Sequence, residues 1–151
     1  MTRRQTSPEQ WLIADQRLDE EFWSALRRLP RGSGVLVLCA PGANERRRLR
    51  HLAGLRRLTV VTERRRTAAR VHNPFELRQA LLARTPLILL SPTHETRSHP
   101  DWRPLARMRA ATFARLAGHR LVALGGMNER RFRRVQRLGF IGWAGISAFR
   151  T

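Results

Sequence analysis

The chain has 151 residues, of which 42% are hydrophobic, so it can bury a core and is too apolar for wholesale disorder. Its thirty basic residues are all arginine and face eleven acidic ones, giving a net charge of +19. Such a charge attracts nucleic acid, anionic lipid or phosphorylated small molecules, but it also fits a general preference for arginine spread over helices and loops alike.

The cysteine content and the hydropathy pattern bear on the cellular compartment. Cys39 is the only cysteine, which excludes an intramolecular disulfide and favours a reducing compartment. No run approaches the ~18 apolar residues of a membrane span, and no apolar signal segment follows the N-terminus. We therefore expect a single cytoplasmic domain over residues 1–151, without membrane association.

Short apolar runs alternate with helical patterns along the chain. Strands are predicted at 11–15, 35–39, 58–62, 69–72, 87–90, 119–124 and 140–146, and helices at 19–29, 45–53, 74–82, 104–116 and 128–138. Asn44 and Asn73 are suited to cap the helices that follow them. Runs such as 87–90 have no polar face, as is typical of strands covered by helices on both sides. The alternation predicts a parallel α/β sheet with helical crossovers.

One connection interrupts this pattern. The five residues 63–67 separate the predicted strands 58–62 and 69–72, whereas a parallel crossover needs roughly a dozen. Either one of these runs is not a strand of the barrel, or the pair is antiparallel. An open sheet edge in this region would also favour a homo-oligomer.

Hydroxyl and glycine residues follow the predicted strands at their carboxyl ends, where parallel α/β folds carry their sites. Ser91, Thr93, Thr96 and Ser98 follow strand 87–90 and could donate to a phosphate, although a solvated loop would have the same composition. Gly125 and Gly126 follow strand 119–124. Glycines there let backbone N–H groups approach an anion, or simply make a tight turn.

Three segments carry a resemblance to a known family. They are Leu90-Ser-Pro-Thr-His-Glu-Thr-Arg-Ser-His99, Ala123-Leu-Gly-Gly-Met127 and Gly139-Phe-Ile-Gly-Trp-Ala-Gly-Ile146. In this order and spacing they resemble the C-terminal half of the thiamine phosphate synthase and TenI family, and 11–15 is similar to its first strand. The resemblance is specific over about residues 70–147. It implies a TIM (β/α) barrel, here shortened, because a helix, strand and helix near residues 63–67 and the final helix are missing.

The resemblance also implies a reaction and one half of its site. A hydroxymethylpyrimidine diphosphate loses pyrophosphate with the help of Mg²⁺, and the nitrogen of a thiazole phosphate captures the resulting cation. By position, the residues implied to hold the thiazole phosphate are Thr96, Ser98, Gly125, Gly126, Ile146 and Ser147.

The diphosphate half of the family's site is altered in this chain. Residues 35–43 lack the glutamine, arginine and lysine that the family uses there, and Glu63 alone stands for its metal-binding residues. Glu63 is therefore a weak candidate ligand for Mg²⁺. His99 stands where the family has a lysine. The candidate residues on the diphosphate side are Glu63, Arg64, Arg65, His72 and His99.

Other functions remain open at this point. A degenerate family member could bind a phosphorylated ligand without catalysis. Nucleic-acid binding is a less favoured alternative, because aromatic residues do not interleave with the arginine-rich segments 45–50 and 129–137 as a stacking platform would require; the only one within them is Phe132. A zinc site of His72, His94 and His99 has no supporting motif. Cys39 lies in an apolar run and is expected to be structural.

Overall fold

The computed structural model describes residues 7–64, 66–93 and 106–150, which form one seven-stranded sheet with helical crossovers. The strands are β1 (Gln10–Ala14), β2 (Gly34–Val37), β3 (Thr59–Thr62), β4 (Ala68–Val71), β5 (Leu87–Leu90), β6 (Leu121–Leu124) and β7 (Gly142–Gly145). The helices are α1 (Glu20–Arg28), α2 (Ala43–Arg56), α3 (Pro74–Leu82), α4 (Arg107–Ala117) and α5 (Glu129–Val135). Short 3-10 turns, Gln136–Leu138 and Ser147–Phe149, follow α5 and β7.

The sheet curls into a nearly closed barrel. Its strand order is β3-β2-β1-β7-β6-β5-β4, and every neighbouring pair is parallel. The first strand, β1, pairs with the last, β7, in the middle of the sheet, so only β3 and β4 remain as edges. The predicted shortened α/β barrel of the TIM type is confirmed.

Alternation along the strands separates the barrel interior from the outer layer. Trp11 and Ile13 of β1 belong to the interior cluster, whereas Leu12 and Ala14 pack in the layer that contains α1. Phe22 of α1 and Phe132 of α5 are almost fully buried in the outer layer. Burial on both faces explains why the strands read as continuous apolar runs. Among the described helices, none combines the length and the apolar character needed to cross a membrane.

The start of α2 differs from the sequence prediction. The helix begins at Ala43 with Gly42 as its N-cap, so Asn44 lies in the first turn and does not cap it. The carboxylate of Glu45 accepts the backbone N–H of Gly42 at 2.9 Å. This bond stabilises the earlier start, because it satisfies a donor that the helix itself leaves unpaired. Asn73 does cap α3, since its side chain accepts the N–H of Glu76 at 2.9 Å.

Both expectations for the connection 63–67 are wrong: β3 and β4 are both strands of the sheet, and both are parallel to their partners. They do not pair with each other but stand at opposite ends of the strand order, as the two edges of the sheet. The hydroxyl of Thr67 donates to the carbonyl of Thr62 at 2.5 Å, so the chain enters β4 beside the end of β3. The stagger of strands in a barrel permits this arrangement, and no return crossover is needed. We call the space between these two edges the seam.

Candidate functional site

A pocket opens at the carboxyl ends of the strands and encloses about 140 Å³. Its lining comes from β1, β2 and β4 to β7 and the residues that follow them, and comprises Ile13, Asp15, Leu38, Arg70, His72, Ser91, Leu124, Gly125, Gly126, Met127, Gly145, Ile146 and Ser147. The apolar lining residues continue the barrel interior, and the polar ones lie where the strands end. This is the end at which parallel α/β barrels carry their sites.

Two glycines after β6 form one wall of the pocket. Gly125 and Gly126 have φ values of +95° and +59°, a region that residues with a side chain rarely adopt. A Cβ on Gly125 would lie 3.1 Å from Cα of Pro92. The guanidinium of Arg131 donates to the Gly126 carbonyl and holds this turn against α5. The backbone is therefore fixed close to the cavity with no side chain in between.

Ile146 and Ser147 extend this wall from the end of β7. Ser147 begins a 3-10 turn that ends at Phe149. The ring of Phe149 stacks on Trp143 of β7 with centroids 4.8 Å apart and planes 4° from parallel. This stacking anchors the turn, so Ser147 is presented to the pocket from a supported position.

The hydroxyl segment after β5 is described only in part. Ser91 lines the pocket, whereas Thr93 is buried and its hydroxyl donates to the carbonyl of Leu90 at 2.9 Å. The N–H of Thr93 donates to the Leu124 carbonyl at 2.8 Å, which ties this segment to β6. Thr96, Ser98 and His99 lie outside the described residues, as does Arg65.

Arg70 of β4 and His72, the residue after β4, line the pocket on the side next to the seam. Arg70 pairs with Glu63, the residue that follows β3, through Nε–Oε1 and Nη2–Oε2 distances of 2.8 and 3.1 Å. Since β3 and β4 are the sheet edges, this two-point ion pair bridges the seam. Glu63 and Arg64 themselves line a groove outside the pocket, together with residues of β4 and α3.

The residues near Glu63 do not fit a magnesium ion. Both carboxylate oxygens already accept from a guanidinium, whose positive charge opposes a second cation at the same group. Within the described ranges, no cluster of three or more histidine, cysteine, aspartate or glutamate residues is placed to hold a metal. Magnesium at Glu63 is implied by the family resemblance alone, and the ion pair that Glu63 forms with Arg70 does not support it. Of the three histidines in the zinc hypothesis, His72 lines the pocket, and His94 and His99 lie outside the described residues.

Cys39 does not line this pocket. Burial raises the pKa of its thiol, and the negative charges of Glu45 and Asp15 raise it further, against a backbone hydrogen bond that lowers it. The thiol is therefore protonated near neutral pH and is a poor nucleophile. This agrees with the structural role expected for Cys39.

His72 and Glu76 join β4 to the first turn of α3. One oxygen of Glu76 accepts the backbone N–H of His72 at 2.6 Å and lies 3.0 Å from its ring Nδ1. Partial burial raises the pKa of Glu76, but the hydrogen bonds from His72 and Asn73 outweigh it and lower the pKa below its usual value. The folded state thus favours the ionised carboxylate.

We expect Glu76→Gln to lower the melting temperature at pH 7, and the difference from the unchanged protein to shrink as the pH falls toward 3. The sign follows from the lowered pKa: the stabilisation is complete above the pKa of the unfolded state and is lost as the pH falls through the folded pKa. Thermal unfolding from pH 3 to 7 measures this. Glu129→Gln, in the first turn of α5 with an exposed ion pair to Arg133, is the matched control and should have a smaller effect. Equal effects of the two changes at all pH values would contradict this account.

The structure brings six of the candidate residues from the sequence to one pocket: His72, Ser91, Gly125, Gly126, Ile146 and Ser147. Arg70 was missed by the sequence analysis. Its signal is the alternation of β4, in which residues 68, 70 and 72 share one face. Ala68 belongs to the barrel interior, so Arg70 and His72 continue that face into the pocket.

The fold and this pocket define a class: a TIM-like α/β barrel with a small polar site at the carboxyl ends of its strands. No protein-family model matches the sequence, and a search of curated proteins likewise gave no match. Among solved structures, a thiamine phosphate pyrophosphorylase from Pyrococcus furiosus is similar, with a TM-score of 0.75 at 18% identity over 95% of this chain and 88% of that one. A second, from Bacteroides thetaiotaomicron, has a TM-score of 0.60 at 13% identity over 93% and 83% of the two chains. The chain has the thiamine phosphate synthase/TenI-like fold, which confirms the expected resemblance at the level of fold.

Proposed function

We propose that this chain is a thiamine phosphate synthase-like protein that joins hydroxymethylpyrimidine diphosphate to thiazole phosphate and releases pyrophosphate. The observation that carries the proposal is the wall formed by Gly125, Gly126, Ile146 and Ser147 at the carboxyl ends of β6 and β7. The shared fold with two thiamine phosphate pyrophosphorylases supports it.

We call this wall, formed by Gly125, Gly126, Ile146 and Ser147, the glycine wall. In this proposal it binds the thiazole phosphate. The backbone of Gly125 and Gly126 lies next to the cavity with no Cβ in between, so N–H groups can donate to phosphate oxygens at short range. Ser147 adds a hydroxyl from the 3-10 turn that follows β7. Thr96 and Ser98 are proposed to complete the same subsite, as the family resemblance implies. A phosphate held there leaves the ring nitrogen of the thiazole free to face the centre of the pocket.

The reaction itself is a substitution at the methylene carbon of the pyrimidine. The bond from that carbon to the diphosphate oxygen breaks, and its electron pair leaves with pyrophosphate. The thiazole nitrogen then supplies the pair that forms the new carbon–nitrogen bond. Cations on the side of β3 and β4 would stabilise the negative charge that develops on the leaving group. His72 lines the pocket there. Arg65 and His99 are further candidates from the sequence, whereas Arg64, the remaining candidate, lines the groove outside the pocket.

A second candidate function is favoured by the Glu63–Arg70 ion pair. This pair occupies the carboxylate that the family resemblance assigns to Mg²⁺. A protein that has lost this metal site could bind a phosphorylated ligand without turning it over. The two candidates share the glycine wall and differ only in catalysis.

Calorimetric titration with thiazole phosphate, and then with the pyrimidine diphosphate with and without Mg²⁺, tests both functions when combined with an assay of thiamine phosphate formation. Binding of both compounds with turnover is expected for the synthase. Binding of thiazole phosphate without turnover would favour the degenerate protein. Binding of neither, together with strongly salt-dependent binding of generic DNA or RNA, would overturn the proposal in favour of a nucleic-acid-binding protein. A cytoplasmic location and a homo-oligomeric state stay predictions.

A further inference from the structure

Arg70 occupies a position that the sequence did not assign to any role. It lines both the pocket at the carboxyl ends of the strands and the groove outside the seam. Its side chain is 43% exposed, so a ligand can reach it. It is the only arginine among the described residues that line the pocket.

Glu63 fixes the orientation of this guanidinium. The ion pair uses Nε and Nη2 of Arg70, which binds the carboxylate in a planar two-point arrangement. Nη1 forms no hydrogen bond with any part of the chain that the structure describes, so its two N–H groups are available to a ligand. Glu63 follows β3 and Arg70 belongs to β4, and these strands are the two edges of the sheet. The ion pair across the seam therefore holds the guanidinium charge of Arg70 in place without a metal ion.

The alternative cation in this region is less well placed. Arg64 lines the grooves outside the seam and does not line the pocket. Its backbone carbonyl accepts the N–H groups of Thr67 and Ala68, so the turn at 64–68 fixes its main chain and leaves its side chain exposed. Removing either arginine therefore removes the same charge from the same region, but only Arg70 contributes to the pocket.

We propose that Arg70 is the oxyanion-binding cation on the β4 side of the pocket, that Glu63 is its positioning residue, and that together they bind a diphosphate group without a divalent cation. This inference rests on the proposed function, since it assigns the leaving-group side of the same pocket. It differs from the family expectation, in which a carboxylate at Glu63 holds Mg²⁺. The N–H groups of Nη1, which the ion pair leaves unused, can donate directly to phosphate oxygens.

The test is calorimetric titration with inorganic pyrophosphate, in chelator and in Mg²⁺, of the unchanged protein, Arg70→Gln and the matched control Arg64→Gln. We expect the affinity of the unchanged protein to be the same within about twofold in both buffers. Arg70→Gln should weaken binding about tenfold or more, the loss of one charge-assisted contact, and Arg64→Gln should change it much less. Binding that requires Mg²⁺, or equal losses in the two variants, would overturn the inference.

Thiazole phosphate serves as the second ligand and separates this inference from the proposed function. Arg70→Gln should retain thiazole phosphate affinity, which also shows that the variant is folded. If the unchanged protein binds pyrophosphate through Arg70 but does not bind thiazole phosphate, the inference stands and the proposed synthase fails. If Arg70→Gln does not fold, Arg70→Lys replaces it, and unchanged pyrophosphate affinity in that variant would overturn the inference.

A double-mutant cycle tests the positioning role of Glu63. Glu63→Gln should weaken pyrophosphate binding when Arg70 is present, because the two-point ion pair that orients the guanidinium is lost. In the Arg70→Gln background it should have no further effect. A loss of the same size in both backgrounds would mean that Glu63 acts through the stability of the seam, and it would overturn the positioning role.

Discussion

Gly34→Ala should destabilise the protein by about 3 kcal/mol, which for a chain of this size lowers the melting temperature by roughly 10 °C. Gly34 begins β2 and is in register with Trp11 of β1. A Cβ at Gly34 would lie 2.2 Å from Cε3 of that indole, which is 2% exposed and packs in the barrel interior. Moving the ring aside would disturb the packing of the barrel interior and the hydrogen bond that Nε1 of Trp11 donates to the carbonyl of Pro8 at 2.9 Å.

Gly54→Ala is the matched control for this substitution. Gly54 lies within α2 on its solvent-exposed face, and a Cβ there would meet nothing within 4 Å. Alanine should raise stability at this site by about 0.5–1 kcal/mol, because it loses less backbone entropy in a helix than glycine does. Thermal or denaturant unfolding of both variants measures the difference. Similar stabilities for the two variants would contradict the packing of Trp11 over Gly34.

Gly125→Ala should weaken the binding of thiazole phosphate about tenfold or more, equivalent to about 1.4 kcal/mol. The added Cβ would lie 3.1 Å from Cα of Pro92 and 3.5 Å from Oγ of Ser91, so the turn must shift. The backbone at Gly125 also has a φ of +95°, which alanine adopts only with strain. Both effects displace the N–H groups that the proposed phosphate subsite requires, and calorimetric titration measures the loss.

Gly118→Ala is the control that distinguishes the effect of backbone strain on stability from a direct effect of Gly125→Ala on the phosphate subsite. Gly118 also has a positive φ, +53°, but it follows α4, away from the pocket, and a Cβ there would meet nothing within 4 Å. Both alanine variants should lose stability, whereas only Gly125→Ala should lose affinity. If Gly118→Ala weakens phosphate binding to the same extent, the effect of Gly125→Ala is one of general stability and the glycine wall is not the subsite.

Local pattern was sufficient for the order of strands and helices. Leu87–Leu90 is apolar at every position and forms a strand covered on both faces. Asn73 followed by Pro74 begins a helix where expected, because the cap and the fixed φ of proline act within one turn. The start of α2 was missed because Gly42 and Asn44 are both acceptable N-caps, and the carboxylate of Glu45 selects the first of them.

The site was predictable on the side of β6 and β7 and less so on the side of β3 and β4. Gly125, Gly126, Ile146 and Ser147 follow their strands directly, so the rule that sites lie at carboxyl ends was enough to group them. Arg70 precedes the end of β4 and reaches the pocket only because its neighbours on the same face point inward. Arginine on a strand looks like a solvent-exposed residue when its partner is unknown.

The sequence by itself determined the alternation of strands and helices, the parallel class of the sheet and the glycine and hydroxyl residues at its carboxyl ends, since periodicity and capping depend on residues a few positions apart. The tertiary structure alone decided that β3 and β4 are the two edges of one barrel and that Glu63 and Arg70 bridge them. Those facts depend on how seven strands stagger around a barrel, and therefore on pairings between residues far apart in the chain. The ion pair that we place at the centre of the diphosphate side follows from that closure.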